Sequence, residues 1–169
     1  MKKIVALALC ACAVPTWAAD VGIGVSAESN DSTIYVPIDF GDTWRLEPFV
    51  NYSKTKIKSD GGDSLKSETL RIGTGVFGAR SLGESLRLYY GGRLSYLETE
   101  TPLYTNAFGT VYDDGDGYRI APTLGFEYAF NDHVSLGGEA EWFYEDVDFG
   151  REDHTRTGTD TRLILRFRF

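Results

Sequence analysis

Between breaks rich in glycine and aspartate, apolar and polar residues alternate with a period of two along almost the whole chain. That period marks half-buried β-strands, not helices. Val21, Ile23, Val25 and Ala27 alternate with Gly22, Gly24, Ser26 and Glu28, and Ile34, Val36, Ile38 and Phe40 with Tyr35, Pro37 and Asp39. Trp44, Leu46, Pro48, Val50 and Tyr52 alternate with Arg45, Glu47, Phe49 and Asn51. Residues 70–77, 86–96, 118–130 and 134–144 continue the pattern. RLILRFRF at 162–169 closes it, with Leu163, Leu165, Phe167 and Phe169 on one parity and Arg162, Ile164, Arg166 and Arg168 on the other. Eight strands in simple succession predict an all-β, eight-stranded antiparallel up-and-down barrel.

The connections sort into two kinds. Gly41-Asp42, residues 79–84 and Asn131-Asp132-His133 read as tight turns, whereas 54–67, 97–117 and 146–159 are long and polar. With up-and-down connectivity, the tight turns share one end and the long loops the other. Outer-membrane barrels have short periplasmic turns and longer external loops. Pro37, Pro48 and Pro122 fall inside strands, where a closed barrel has no free edge for a missing donor, so bulges or strand ends are expected there.

Alternation alone does not say which face meets water, and a soluble barrel would carry its apolar parity inside. Three features favour the transmembrane arrangement. An eight-stranded barrel has a narrow interior, and the apolar parity is the bulky one, with Trp44, Tyr52, Tyr90, Tyr96, Phe126, Tyr128, Trp142 and Tyr144. The opposite parity is dominated by glycine, serine and alanine, punctuated by charges. Those charges are Glu28, Asp39, Glu47, Glu127, Glu139 and Glu141 against Arg45, Arg71, Arg87, Arg93, Arg119, Arg162, Arg166 and Arg168. Every cation among them is arginine, whose planar fork suits confined carboxylate pairing. Lastly, Phe40, Trp44, Phe130 and Phe169 cluster toward the tight-turn end, and Tyr52, Tyr96, Tyr118, Trp142 and Tyr144 toward the other, as two interfacial girdles would.

Length and composition refine this picture. The chain has 169 residues, enough for one domain behind a leader. Lys2 and Lys3 precede a short apolar run at 4–14, followed by Pro15-Thr16-Trp17-Ala18-Ala19. This reads as a signal peptide over 1–18, with cleavage after Ala18 favoured over Ala19, leaving a barrel over 19–169. Both cysteines, Cys10 and Cys12, fall in the leader, so disulfides and thiolate metal sites are not expected in the mature barrel. The formal net charge is −8, and losing Lys2 and Lys3 makes it more negative, which argues against nucleic acid as a partner.

Catalytic and ligand motifs are weak. His133 falls in a tight turn and His154 in a long loop, so they cannot share a site. His154 has Glu152, Asp153, Thr155 and Thr157 around it but no serine nucleophile. Asp113-Asp114-Gly115-Asp116-Gly117 carries the carboxylates of a calcium loop without its ligand spacing or closing glutamate, and reads as an acidic loop tip. Gly22-Ile23-Gly24 and Gly73-Thr74-Gly75 precede no helix and are not nucleotide loops. No cofactor is expected.

IYVPIDFGDTWRLEPFVNYS, GYRIAPTLGFEYAFNDHVSLGGEAEW and TRLILRFRF resemble the small outer-membrane β-barrel family of OmpA/OmpX type, the porin-like barrels of Gram-negative bacteria. The resemblance covers the whole chain after the leader. It implies that Leu163, Leu165, Phe167 and Phe169 form the C-terminal signal read by the barrel-assembly machinery, with periplasmic chaperones acting before it. It further implies contact with outer-membrane lipid and lipopolysaccharide, a monomeric state and an external ligand of unknown identity. The expected function is non-enzymatic: a structural or surface-interaction protein with a charge-plugged lumen and acidic external loops. The alternatives are a small or gated channel and a lipid A-modifying enzyme.

Overall fold

The computed structural model describes residues 19–28, 31–58, 64–106, 109–150 and 153–169, and the leader at 1–18 lies outside them. The strands are β1 (Ala19–Glu28), β2 (Asp31–Tyr35), β3 (Ile38–Phe40), β4 (Trp44–Lys58), β5 (Ser64–Ser81), β6 (Leu86–Asn106), β7 (Gly109–Ala129), β8 (Val134–Asp148) and β9 (Asp153–Arg168). Every pairing is antiparallel, and β1 closes the ring on β9 through Gly22↔Arg168, Ile23↔Phe167, Gly24↔Arg166 and Val25↔Leu165.

Nine segments make eight staves. Both β2 and β3 lie between β1 and β4, and the register runs through them unbroken, from Tyr35↔Phe49 to Ile38↔Leu46. The interruption is at Val36-Pro37. Val36 N donates to Pro48 O at 2.8 Å and Gly22 N to Pro37 O at 2.9 Å. The missing donor of Pro48 therefore faces the break, and that of Pro37 faces β1. Neither Pro48 nor Pro122 sits at a bulge or strand end, contrary to expectation: the pairs Pro48↔Thr74 and Gly92↔Pro122 lie in regular register. A prolyl ring removes one donor yet keeps a φ compatible with an extended chain, so its ladder loses a bond without gaining a residue. A register shift does occur in β6 between Pro102 and Tyr104.

The tight-turn end is as expected. Gly41 adopts a φ of 60°, a left-handed value that glycine tolerates. In the turn before β8, Asn131 Oδ1 accepts from His133 N and Val134 N, both at 2.9 Å, the local bonding that makes asparagine a turn former. The opposite end departs from expectation. Most of the polar stretches at 54–67, 97–117 and 146–159 are strand, and β6 and β7 remain paired as far as Asn106↔Gly109. Polar, threonine-rich segments fail the amphipathic test because their outward face meets water where lipid would demand apolar residues, although Leu97 and Val147 on the inward face are buried. Their backbone still bonds across the ladder, and β-branched threonines favour the extended form.

The faces sort as an inside-out barrel. Leu163 is 67 % exposed and Phe169 79 %, while Arg45 is 1 % and Arg166 0 % exposed. Both aromatic sets point outward, flanking exposed aliphatics such as Val76, Leu94 and Leu124. Ile38 is an exception, on the outward parity yet covered where it sits between Val21 and Leu46. The lumen also holds more than small residues and charges. Tyr35, Phe49, Phe77, Tyr89 and Phe143 are buried on the inward parity, and several of their rings lie over inward glycines. A Cβ on Gly75 would collide with the Phe77 ring, and one on Gly125 with the Tyr89 ring. Glycine here makes room for aromatic side chains crossing a narrow bore.

Candidate functional site: the lumenal charge network

The alternation that sends leucine outward brings one charged residue from each of several staves into the same bore. At its centre lie Arg45, Arg93 and Arg166 with Glu47, Glu127 and Glu139, all buried. Arg45 grips Asp39 with two bonds, Nε to Oδ1 at 2.8 Å and Nη2 to Oδ2 at 3.1 Å, and reaches Glu127 Oε2 through Nη1 at 2.8 Å. Arg93 Nη2 lies 2.7 Å from both Glu47 Oε1 and Glu139 Oε1. Arg166 stands 3.0 Å from Glu47 Oε2, 3.2 Å from Glu139 Oε1 and 3.5 Å from Glu127 Oε2. Tyr89 ties these together, its hydroxyl donating to Glu139 Oε1 at 2.8 Å, and Ser135 donates to Glu127 at 2.6 Å.

A second group occupies the outer half. Glu141 Oε1 pairs with both Arg119 and Arg162. Arg119 also reaches Asp160 at 2.6 Å and lies with its guanidinium carbon 3.7 Å from the centroid of the Phe143 ring. Arg162 Nη1 donates to Tyr35 OH at 2.9 Å. Arg71 donates to Asn51 Oδ1 at 2.9 Å, and Asp31 lies 3.7 Å from it. At the tight-turn end, Arg87 lies 3.1 Å from Asp39, and Arg168 pairs with Glu127.

The structure thus joins Asp39, Arg45, Glu47, Arg71, Arg87, Arg93, Arg119, Glu127, Glu139, Glu141, Arg162, Arg166 and Arg168 in one bore. Glu28 belongs to β1, but its side chain lies outside the described residues. Sequence reasoning missed Asp31, Glu145 and Asp160, since it began the second and last strands too late and ended the one at 134–144 too early; extending the inward parity would have found them. It also missed Tyr35 and Tyr89, whose parity was visible but whose hydroxyls were not weighed. The terminal Leu163, Leu165, Phe167 and Phe169 take the outward parity.

His133 and His154 lie at opposite ends. His133 Nδ1 is 3.3 Å from Arg168 O, and His154 sits edge-on to Phe149 at 5.3 Å. The acidic run 113–117 is strand, not a loop tip, paired with β6 through Glu100↔Asp114 and Glu98↔Asp116. Its neighbours make two rows of like charge across adjacent strands, Glu68↔Glu100↔Asp114 and Glu98↔Asp116↔Asp148. Directly opposed like charges are unfavourable in a sheet, so these rows are not there for stability. Among the described residues no group of three or more metal-binding side chains is placed to hold an ion.

Comparison with protein-family models and with curated proteins finds no match. Solved structures do match over most of the chain. Neisserial surface protein A shares 16 % identity at a TM-score of 0.62, with 89 % of this chain and 94 % of that one covered. A major outer-membrane protein of Thermus thermophilus shares 13 % identity at a TM-score of 0.62, covering 90 % and 100 %. The attachment invasion locus protein Ail of Yersinia pestis, in complex with the heparin analogue sucrose octasulfate, shares 12 % at 0.53, covering 89 % and 95 %. At such identities the likeness is one of fold, and that fold is the antiparallel barrel of small outer-membrane proteins.

Proposed function

We propose that the chain is an integral outer-membrane barrel with a non-enzymatic structural and surface-interaction role, its lumen plugged by charge and its outer strand extensions presenting acidic residues. The observation that carries this reading is the central set of Arg45, Arg93, Arg166, Glu47, Glu127 and Glu139, each buried and bonded across the bore. Buried pairs add little net stability, but losing one partner strands a charge and costs about 3–5 kcal/mol. Opening a path through the centre would strand several. Planar-bilayer recordings test the plug: the purified barrel gives no steady openings. Steady openings that change when Arg166 or Glu139 is neutralised would establish the alternative, a small channel.

The surface role rests on the acidic rows of β5 to β8. Ail was crystallised with a polyanion; the carboxylate rows here would repel one, so this face selects cationic partners. Immobilised polylysine retains the barrel at low salt and heparin does not, an order that reverses if the assignment is wrong. Lipopolysaccharide and lipid contact the apolar belt, the barrel is monomeric, and Leu163, Leu165, Phe167 and Phe169 address it to the assembly machinery. A lipid A-modifying activity is the third reading. It requires lipid A mass spectra that change with expression and revert with His154→Ala.

A further inference from the structure

Among the described residues, six buried side-chain atoms have no hydrogen-bond partner: Arg71 Nε, Thr74 Oγ1, Arg87 Nε, Arg93 Nε, Arg93 Nη1 and Glu141 Oε2. Four of them belong to Arg71, Arg93 and Glu141, and these three residues line one small pocket of about 10 Å³, shared with Phe49, Ser95, Ala121, Arg119 and Arg162, at the lower limit of the room one water needs. Buried polar groups in folded proteins are nearly always satisfied, so unpaired groups meeting at one void call for an occupant.

We propose that this pocket is a binding site for one water molecule, which accepts from the free Nε–H of Arg93 and donates to the free oxygen of Glu141. Arg93 and Glu141 are both more than nine-tenths buried. The Glu141 carboxylate is used on one side only, Oε1 taking Arg119 and Arg162. Arg93 Nε lies 3.9 Å from Glu141 Oε2, too far for a direct hydrogen bond and within the span of a bridging water. The aromatic rings do not substitute for it. Tyr35 and Phe77 approach the Arg93 guanidinium carbon at 4.9 Å each and Phe49 at 5.5 Å, contacts that supply no oxygen or nitrogen acceptor to its free N–H groups.

The chemistry of the lining selects among occupants. A halide would accept from the arginines but would face Glu141 Oε2, which needs a donor. An apolar molecule would leave all four groups bare. Water accepts from the Arg93 guanidinium and donates to the carboxylate, and a polar void with two to four partners is where buried water is held. The site does not depend on whether the barrel conducts.

Crystals of the intact barrel grown in bromide provide the first test. A peak without anomalous signal, within hydrogen-bond distance of Arg93 and Glu141 Oε2, is the expected result. An empty cavity, or an anomalous peak marking bromide, overturns the proposal. The second test compares Ala121→Ser with Ala121→Val by the temperature at which the barrel loses its compact gel mobility. A serine hydroxyl supplies the same donor and acceptor as the water, so it leaves that temperature unchanged or raises it, whereas valine fills the site with methyls and lowers it by several degrees. Equal shifts, or the reverse order, would show a dry gap.

Discussion

Gly125 and Tyr89 hold one piece of space between them. The ring lies where a Cβ on residue 125 would stand, and its hydroxyl is aimed at Glu139. Gly125→Ala therefore pushes the ring off its acceptor, and overpacking of this kind costs about 1–3 kcal/mol. Urea unfolding in lipid vesicles reads that loss. Combining it with Tyr89→Leu gives a loss well below the sum of the two single changes, because the clash is gone. Arg166→Met leaves Glu47, Glu127 and Glu139 short of a cation and is the most damaging single lumenal change, at about 3–5 kcal/mol. Above the membrane the forces are weaker. Lys54 and Glu68 face each other across β4 and β5, and bonding to Lys54, then to Tyr52, holds the Glu68 carboxyl below its ordinary range. Any stability it lends is present above the usual carboxylate range and is lost as pH falls through the lowered value. In an NMR titration Glu68 protonates at lower pH than a free glutamate, and Lys54→Met moves it back up.

At the level of whole strands, the sequence was legible wherever a membrane enforced it. Lipid on one side and a narrow bore on the other impose strict alternation, so the staves from 86–96 and 118–130 could be read from apolar parity alone. Where lipid ends, so does the constraint, and the outer halves of β6 and β7 looked like loop because Glu98, Glu100, Asp114 and Asp116 face water where leucine would face lipid. The centre of the charge network was legible for the same reason its staves were. Its outer members Asp160 and Glu145 were not, since the pattern that would have flagged them had already faded. The central aromatics were hidden differently: Phe77 beside Gly75 reads as a mismatch until the ring is seen to cover the glycine. Strand extensions that owe nothing to the core are removable. Replacing residues 99–115 by a tight turn joins positions already paired in register, and the shortened barrel keeps its heat-modifiable gel mobility. Phe169 is the contrary case. Its removal impairs insertion in cells far more than that large excision does, measured as outer-membrane yield, and normal insertion would refute the role assigned to the C-terminal strand.

For the molecule as a whole, the distribution of charge separates two environments. Arginine and carboxylate are matched inside, while the outer extensions carry unbalanced acid, so salt acts unequally on them. Raising ionic strength screens exposed charges beyond about one Debye length and leaves buried pairs almost untouched. Retention of the barrel on a cationic surface falls steeply with salt, whereas its unfolding midpoint hardly moves. Equal sensitivity of the two would mean that the lumenal pairs are solvated.

The seam between β1 and β9 has a kinetic meaning. Among the described residues, four ladder pairs, Gly22–Val25 against Leu165–Arg168, and a bond from Phe169 N to Val21 O at 3.1 Å join these staves, against fifteen pairs between β8 and β9. Yet Arg166 and Arg162, carried on β9, bond to Glu47 and Tyr35 on the far side of that seam. An unzipped ring would present two raw edges to lipid and leave those ions without partners, so parting of this short ladder is the step expected to limit departure from the native form. The barrel is therefore held shut by its contents more than by its stitching. Backbone amides of Ile23 and Val25, which face β9, exchange with solvent deuterium sooner than those of the β8–β9 ladder, and Arg166→Met hastens them while leaving the tips of β6 and β7 unchanged.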